Sequence, residues 1–227
     1  MARQPRTHKS HSEPDDVFVS NVLHLGKWAE SHQQLITVLG VVLVIAILGG
    51  VYYRNYRANL NLQAATEIEQ VYQSMSIQDT EGARAQLATF LERYAGTAYE
   101  AEARLVLGEL YLQDGSPQQA QAVLRPLGES PRAPIEFQAA ALLAAALEED
   151  RQFSEAETIY MRIVDRSDLD FQVHDALAAA ARLRRDQGDA QGAVALYRRL
   201  VEDFEEGDPR RGVFEMRIQE IESASTA

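Results

Sequence analysis

His8 and His11 stand in an H-x-x-H spacing, which can bring two imidazoles to one metal ion. No carboxylate or third ligand follows at a suitable distance, and the pair lies in a polar stretch flanked by Pro5 and Pro14. Asp165, Asp168 and Asp170 gather three carboxylates as a calcium loop would, but the glycine and terminal glutamate of an EF-hand are missing, which reads as a solvated helix junction. His174 opens a helix alone and reads as a surface or capping residue. Glu202, Asp203, Glu205, Glu206 and Asp208 crowd the end of a helix, where the macrodipole disfavours negative charge, so they are a candidate contact for a cation or a basic partner. No Walker loop, G-x-S-x-G elbow or G-x-G-x-x-G fingerprint is present. The chain has no cysteine, which excludes thiolate nucleophiles, disulfides and Cys-based metal sites. The expectation is a protein that is not an enzyme, with no catalytic residue, no metal, no cofactor and no small-molecule substrate.

What these residue types do build is helices. The 227 residues carry 22 Lys+Arg against 34 Asp+Glu, a formal charge of -12, and such an acidic chain is repelled by nucleic acid. Up to Tyr53 the two signs balance, so the whole net charge falls C-terminal to it, where every basic residue is arginine. Three regions follow. Residues 1–34 form a polar tail, with Phe18, Val22, Leu25 and Ala29 at the spacing of a short amphipathic helix beside Trp28. Leu35 to Tyr53 reads LITVLGVVLVIAILGGVYY, uncharged and about 28 Å long as a helix, which fits the hydrocarbon thickness of a bilayer. Trp28, Tyr52, Tyr53 and Tyr56 would lie at the two interfaces, and Arg54 and Arg57 can snorkel. A cleaved signal peptide fits less well, because the leader is long and the run ends in YYRNYR rather than in small residues. Residues 54–223 are helix-forming throughout, without β-branched runs. Helix starts are expected at Thr97-x-x-Glu100, Ser116-Pro117-x-Gln119, Ser154-x-x-Glu157 and Asp208-Pro209.

A period of about 36 residues runs through this third region. Leu107-Gly108 with Tyr111, then Ala120, Leu124 and Leu127, recurs as Leu143-Ala144, Leu147, Ala156, Tyr160 and Ile163, and more weakly as Ala180-Ala181, Arg184, Ala193, Tyr197 and Leu200. Small residues on both helices of each pair allow close approach, and larger residues three or four positions on fill the space between. This is the pattern of tetratricopeptide-like helix pairs, with starts at Ala101, Phe137 and His174. A degenerate pair precedes them, Leu60 to Met75 followed by Ala83, Leu87 and Phe90, and Pro209 to Ser223 supplies a C-terminal cap. The expected fold is therefore all-α, a single N-terminal transmembrane helix followed by a tetratricopeptide-like α-solenoid.

Two stretches carry a family likeness. FLERYAGTAYEAEARLVLGELYLQDGSPQQA, Phe90 to Ala120, resembles the repeats of bacterial envelope tetratricopeptide proteins. LGKWAESHQQL leading into one membrane helix and YYRNYRANLNLQAA leaving it, followed by degenerate repeats, resembles the YfgM-like family over roughly Asp16 to Glu222. That resemblance implies an ancillary subunit of the Sec translocon that works beside periplasmic chaperones. It places the chain in the bacterial inner membrane, single-pass, with a cytoplasmic tail and the repeats on the periplasmic or extracytoplasmic side. The charges flanking the span do not decide orientation, since Lys27 faces Arg54 and Arg57.

In repeats of this type the second, fifth, ninth and twelfth positions of each first helix line a concave groove. Here they are Glu102, Leu105, Glu109 and Leu112; Gln138, Ala141, Ala145 and Glu148; Asp175, Ala178, Arg182 and Arg185, with Ile68 and Tyr72 added by the degenerate pair. The Lys and Asn clamp by which some cytosolic relatives hold a C-terminal carboxylate is missing, which favours extended or partly unfolded chains with apolar side chains. The implied partners are proteins: translocon subunits, periplasmic chaperones or unfolded clients. Two roles remain open, a client-binding adaptor at the translocation site and an envelope scaffold that organises cell-wall or secretion machinery.

Overall fold

A computed structural model describes residues 32–225. The H-x-x-H pair, Trp28 and the amphipathic segment from Asp16 lie outside the described residues. The described chain is helical, with no strand among the described residues. The elements are α1 (Gln33–Ser76), α2 (Thr80–Arg93), α3 (Glu100–Gln113), α4 (Pro117–Gly128), α5 (Pro134–Glu149), α6 (Phe153–Arg166), α7 (Asp170–Asp186), α8 (Ala190–Glu202) and α9 (Pro209–Ser225). The chain divides into two units, Met1–Ala58 and Asn59–Ala227.

The first unit shows one element, the leading part of α1. Val38, Leu39, Val41 to Ile45, Ile47, Leu48 and Val51 are apolar or branched and all lie exposed. The helix satisfies its own backbone, and Thr37 turns its hydroxyl back to the Gln33 carbonyl at 2.8 Å, so no polar group in the run needs water. By length and composition this helix can cross a membrane.

The second unit is built from helix hairpins: the end of α1 with α2, α3 with α4, α5 with α6, and α7 with α8, with α9 laid against α8. The small residues of the repeat pattern meet as the sequence demands. Ala120, Ala144, Ala156, Ala181 and Ala193 are fully buried, and a Cβ at Gly108 would fall 2.5 Å from Leu124. Gly128 is tighter still, because its Cβ would meet the Ala139 carbonyl and Ala140 Cα at 2.8 Å, where only backbone could yield. Two buried clusters result. One joins Ala64, Ile68 and Val71 to Leu87, Phe90, Leu107 and Leu110; the other runs from Ala120 to Ile221, and Tyr111 touches both. Tyr111 is half-buried rather than enclosed.

Helix starts follow the sequence in part. Asp208 caps α9, its Oδ1 accepting from Arg210 N at 2.9 Å with Pro209 as the first helical residue. Ser116 is the N-cap of α4, but its side chain makes no cap hydrogen bond. Ser154 and Thr97 are not caps. α6 already begins at Phe153, and Thr97 is buried with its hydroxyl donating to the Tyr94 carbonyl at 2.7 Å. Two side-chain caps not expected from the sequence are Asp79 to Gly82 N and Asp189 to Gly192 N, each 2.9 Å. In both, a Cβ on the glycine would collide with the capping carboxylate, so Asp-x-x-Gly is a unit.

Candidate protein-binding face

The first helices α3, α5 and α7 carry the predicted groove positions. α3 and α5 pack directly on one another, whereas α5 and α7 are held mainly through α6. Leu105 and Leu112 lie half-buried, packed against the larger core, and Glu109 between them is exposed, its carboxylate at the limit of hydrogen-bond distance from Gln113, 3.5 Å. Ala141 is exposed and Ala145 half-buried. Arg182 is exposed and Arg185 half-buried, the latter turned onto its neighbour Asp186 at 2.7 Å. Of the residues named beside them, Glu102 and Ala178 are half-buried while Gln138 and Asp175 are exposed.

Ile68 requires correction. It is only 5 % exposed and belongs to the core with Ala64 and Val71, because this stretch of α1 turns its one apolar face toward α2. Tyr72 stays at the surface and donates its hydroxyl to Glu102. Burial, then the hydrogen bond to Glu102, pushes its phenol up to about 12.

Glu148 and Arg182, both groove positions, find each other across α5 and α7. The guanidinium Nη2 contacts the two carboxylate oxygens at 2.9 and 2.7 Å, and Tyr160 donates its hydroxyl to the same carboxylate at 2.7 Å. The distal end of the face is thus internally neutralised rather than offering free arginines. Burial, then the hydrogen bond to Glu148, raises the Tyr160 phenol above its ordinary range. A tyrosine whose folded value is raised stabilises the fold below its unfolded value of 10.0, and that contribution is lost as pH rises through the folded value. The thermal midpoint is therefore expected to fall between pH 10 and about 12, and Tyr72→Phe to make the fall shallower in circular-dichroism melts. An unchanged pH profile in that variant would contradict the Tyr72–Glu102 linkage.

Several polar contacts had no sequence signal. Gln121 is buried, with Nε2 donating to the Ala146 carbonyl and to Asp150, each at 3.2 Å, while Gln152 donates to Gln121 Oε1. Arg125 pairs with Glu155 at 2.6 Å and Arg84 with Asp114, each tying one hairpin to the next. Arg184, which replaces the large packing residue of the other repeats, donates Nε to Glu157 at 2.7 Å. His174 is half-buried within α7 rather than opening it: its ring lies tilted against Phe204 at 4.6 Å between centroids, its side chain is 15 % exposed, and Nε2 lies 3.8 Å from Asp203. A large exposed side chain, Phe171, marks the start of α7 and was not singled out by any spacing.

Stacked antiparallel helix hairpins with small-residue seams and a terminal cap define an α-helical repeat protein, a class whose members generally mediate protein–protein interaction. The chain belongs to the tetratricopeptide repeat-like domain family, whose model matches residues 27–223. Among solved structures it is similar to TPR-like repeats from Podosopora anserina described as a kinesin light chain, with a TM-score of 0.57 and 18 % identity over 72 % of this chain and 87 % of that one. A variant of the same repeats aligns with the same values. At that identity the likeness shows the fold. None of the curated proteins matches the chain.

Proposed function

We propose that the chain is a membrane-anchored, non-enzymatic adaptor whose repeats bind partner polypeptides, in the manner of the YfgM-like family at the protein translocation site. The observation that carries this reading is a tetratricopeptide-like repeat fold on the same polypeptide as a helix whose large apolar side chains from Val38 to Val51 lie exposed. Such a run is stable in a bilayer and aggregates in water. On the repeats, Leu105, Leu112, Ala141 and Ala145 leave apolar surface on the first helices beside the exposed carboxylate of Glu109. That mixture suits an extended polypeptide better than the C-terminal carboxylate of a partner's tail. The repeat domain then lies outside the cytoplasm.

A photo-crosslinking amino acid at Glu109, activated in intact membranes, should capture a defined set of proteins that the same probe at exposed Ala122, on a second helix, does not. Translocation components and chaperones in that set support the adaptor role. Cell-wall machinery would favour the scaffold, and equal capture from both positions would sink a face-specific function. The repeat region contains no lysine, so amine-directed crosslinkers would miss it.

A further inference from the structure

Where α5 and α7 diverge, a cavity of about 270 Å³ opens between their leading halves, floored by Tyr160 and Ile163 of α6 and edged by Phe137, Ala141 and Phe171. Its volume lies below the roughly 300–1,000 Å³ of sites that enclose a whole small molecule, and it suits one large side chain. Its polar members are largely engaged. Tyr160 is committed to Glu148, and Gln172 donates to the Pro134 carbonyl at 3.4 Å while accepting from Ser167 Oγ at 2.7 Å. What remains facing an occupant is apolar surface with Asp175 and Gln138 at the edge.

Phe171, 57 % exposed, also borders a broader open basin of about 1020 Å³ at the α8–α9 junction. The basin is lined by Asp170, Asp203, Glu205, Glu206 and Asp208. Its one arginine, Arg210, is held by Asp208 at 2.6 Å and lies over the Phe204 ring at 4.6 Å, so it does not neutralise the other carboxylates. Glu205 and Glu206 are exposed and form no ion pair among the described residues. Asp203 and these two glutamates follow directly on the C-terminus of α8, whose dipole adds to the negative potential.

We propose that the α5–α7 cleft is the docking site for an extended partner segment that seats one apolar side chain against Phe171 and lays an adjoining run of lysines or arginines in the acidic basin. The occupant follows from complementarity: the cavity accepts a side chain and no more, and the surface continuous with it is a surplus of carboxylates that a basic stretch would neutralise. The assignment rests on the reading that the repeats bind polypeptide, and it names the segment they select.

The full-length chain in detergent is titrated with a fluorescein-labelled peptide carrying one phenylalanine followed by a run of lysines. Two comparison peptides replace the lysines by glutamates or the phenylalanine by serine. The first peptide should bind, and added salt should weaken it, since the basin is solvent-exposed. Ala141→Leu, which fills the cavity, and the pair Glu205→Lys with Glu206→Lys should each weaken binding by about tenfold or more. All three positions are exposed, so the circular-dichroism spectrum should not change. Equal binding by the glutamate or the serine peptide, or parental affinity in Ala141→Leu, overturns the cleft assignment. If no peptide binds while the Glu109 probe still captures proteins, the cleft is wrong and the adaptor reading stands. Failure of both removes the adaptor reading as well.

Discussion

Leu143→Ala is expected to lower the unfolding free energy of the repeat unit by about 2–5 kcal/mol, the cost of a buried leucine whose cavity cannot collapse. Leu143 is fully buried on α5, and its buried neighbours on that helix include Ala139, Ala140, Ala144 and Ala146. Alanines have no side chain to swing into a void, and apart from Phe137 near the start of the helix, Leu143 and Leu147 are the large buried side chains that α5 supplies. The hole would also sit in the middle of the array, where each hairpin depends on both neighbours. Urea titration of a chain beginning at Asn59 reads the effect, with Val213→Ala as control. Val213 is 48 % exposed on α9, and its truncation should stay within about 0.5 kcal/mol. A Leu143→Ala midpoint indistinguishable from that of Val213→Ala would mean that α5 is not the packed centre of the solenoid.

The hairpin seams were legible in the sequence because close approach of two helices leaves few choices: Gly108 must be small where Leu124 comes down on it, and Ala144 and Ala181 repeat the requirement. The start of α9 was legible for a similar reason, since Asp-Pro combines a capping acceptor with a residue that has no N–H to lose. Capping boxes misled where Ser154 fell inside a helix that α6 had already begun, and the sequence gives no local sign of which serine the tertiary packing will leave at the end. The candidate face was legible as a row of positions but not as a surface. Ile68 satisfies the same spacing as Tyr72 and points into the core, because it shares the apolar face of α1 with Ala64 and Val71 that packs on α2. Glu148 and Arg182 each occupy a groove position, yet their pairing depends on two helices 34 residues apart meeting at 2.7 Å. The same holds for Arg125 with Glu155. Ion pairs between hairpins take up many arginines, and the surplus of acid is conspicuous beyond α8, where Glu205 and Glu206 are left without one.

Pairing Val44→Arg with Leu48→Arg should release the full-length chain from membranes, while either change alone should not. The apolar run contains about a dozen Leu, Ile and Val residues, each favouring insertion by roughly 0.3–0.6 kcal/mol, or about 4–7 kcal/mol before the small unfavourable terms of glycine and threonine. One arginine near the centre opposes this by about 2.5–3.5 kcal/mol and leaves insertion favourable; two bring the balance to about zero. Both positions lie near the middle of Leu35 to Tyr53 and are exposed, Val44 at 54 % and Leu48 at 64 %, so neither substitution disturbs packing that the repeats need. Carbonate extraction followed by immunoblotting should then find the parent and each single variant in the pellet and the double variant in the supernatant, with its helical spectrum intact. A parent chain that extracts freely would show that the run is not an anchor, and N-terminal sequencing of that soluble form would reveal whether a leader had been cleaved. Retention of the double variant in the carbonate pellet would instead mean that two arginines do not cancel insertion and that the run still spans the bilayer, which overturns that balance.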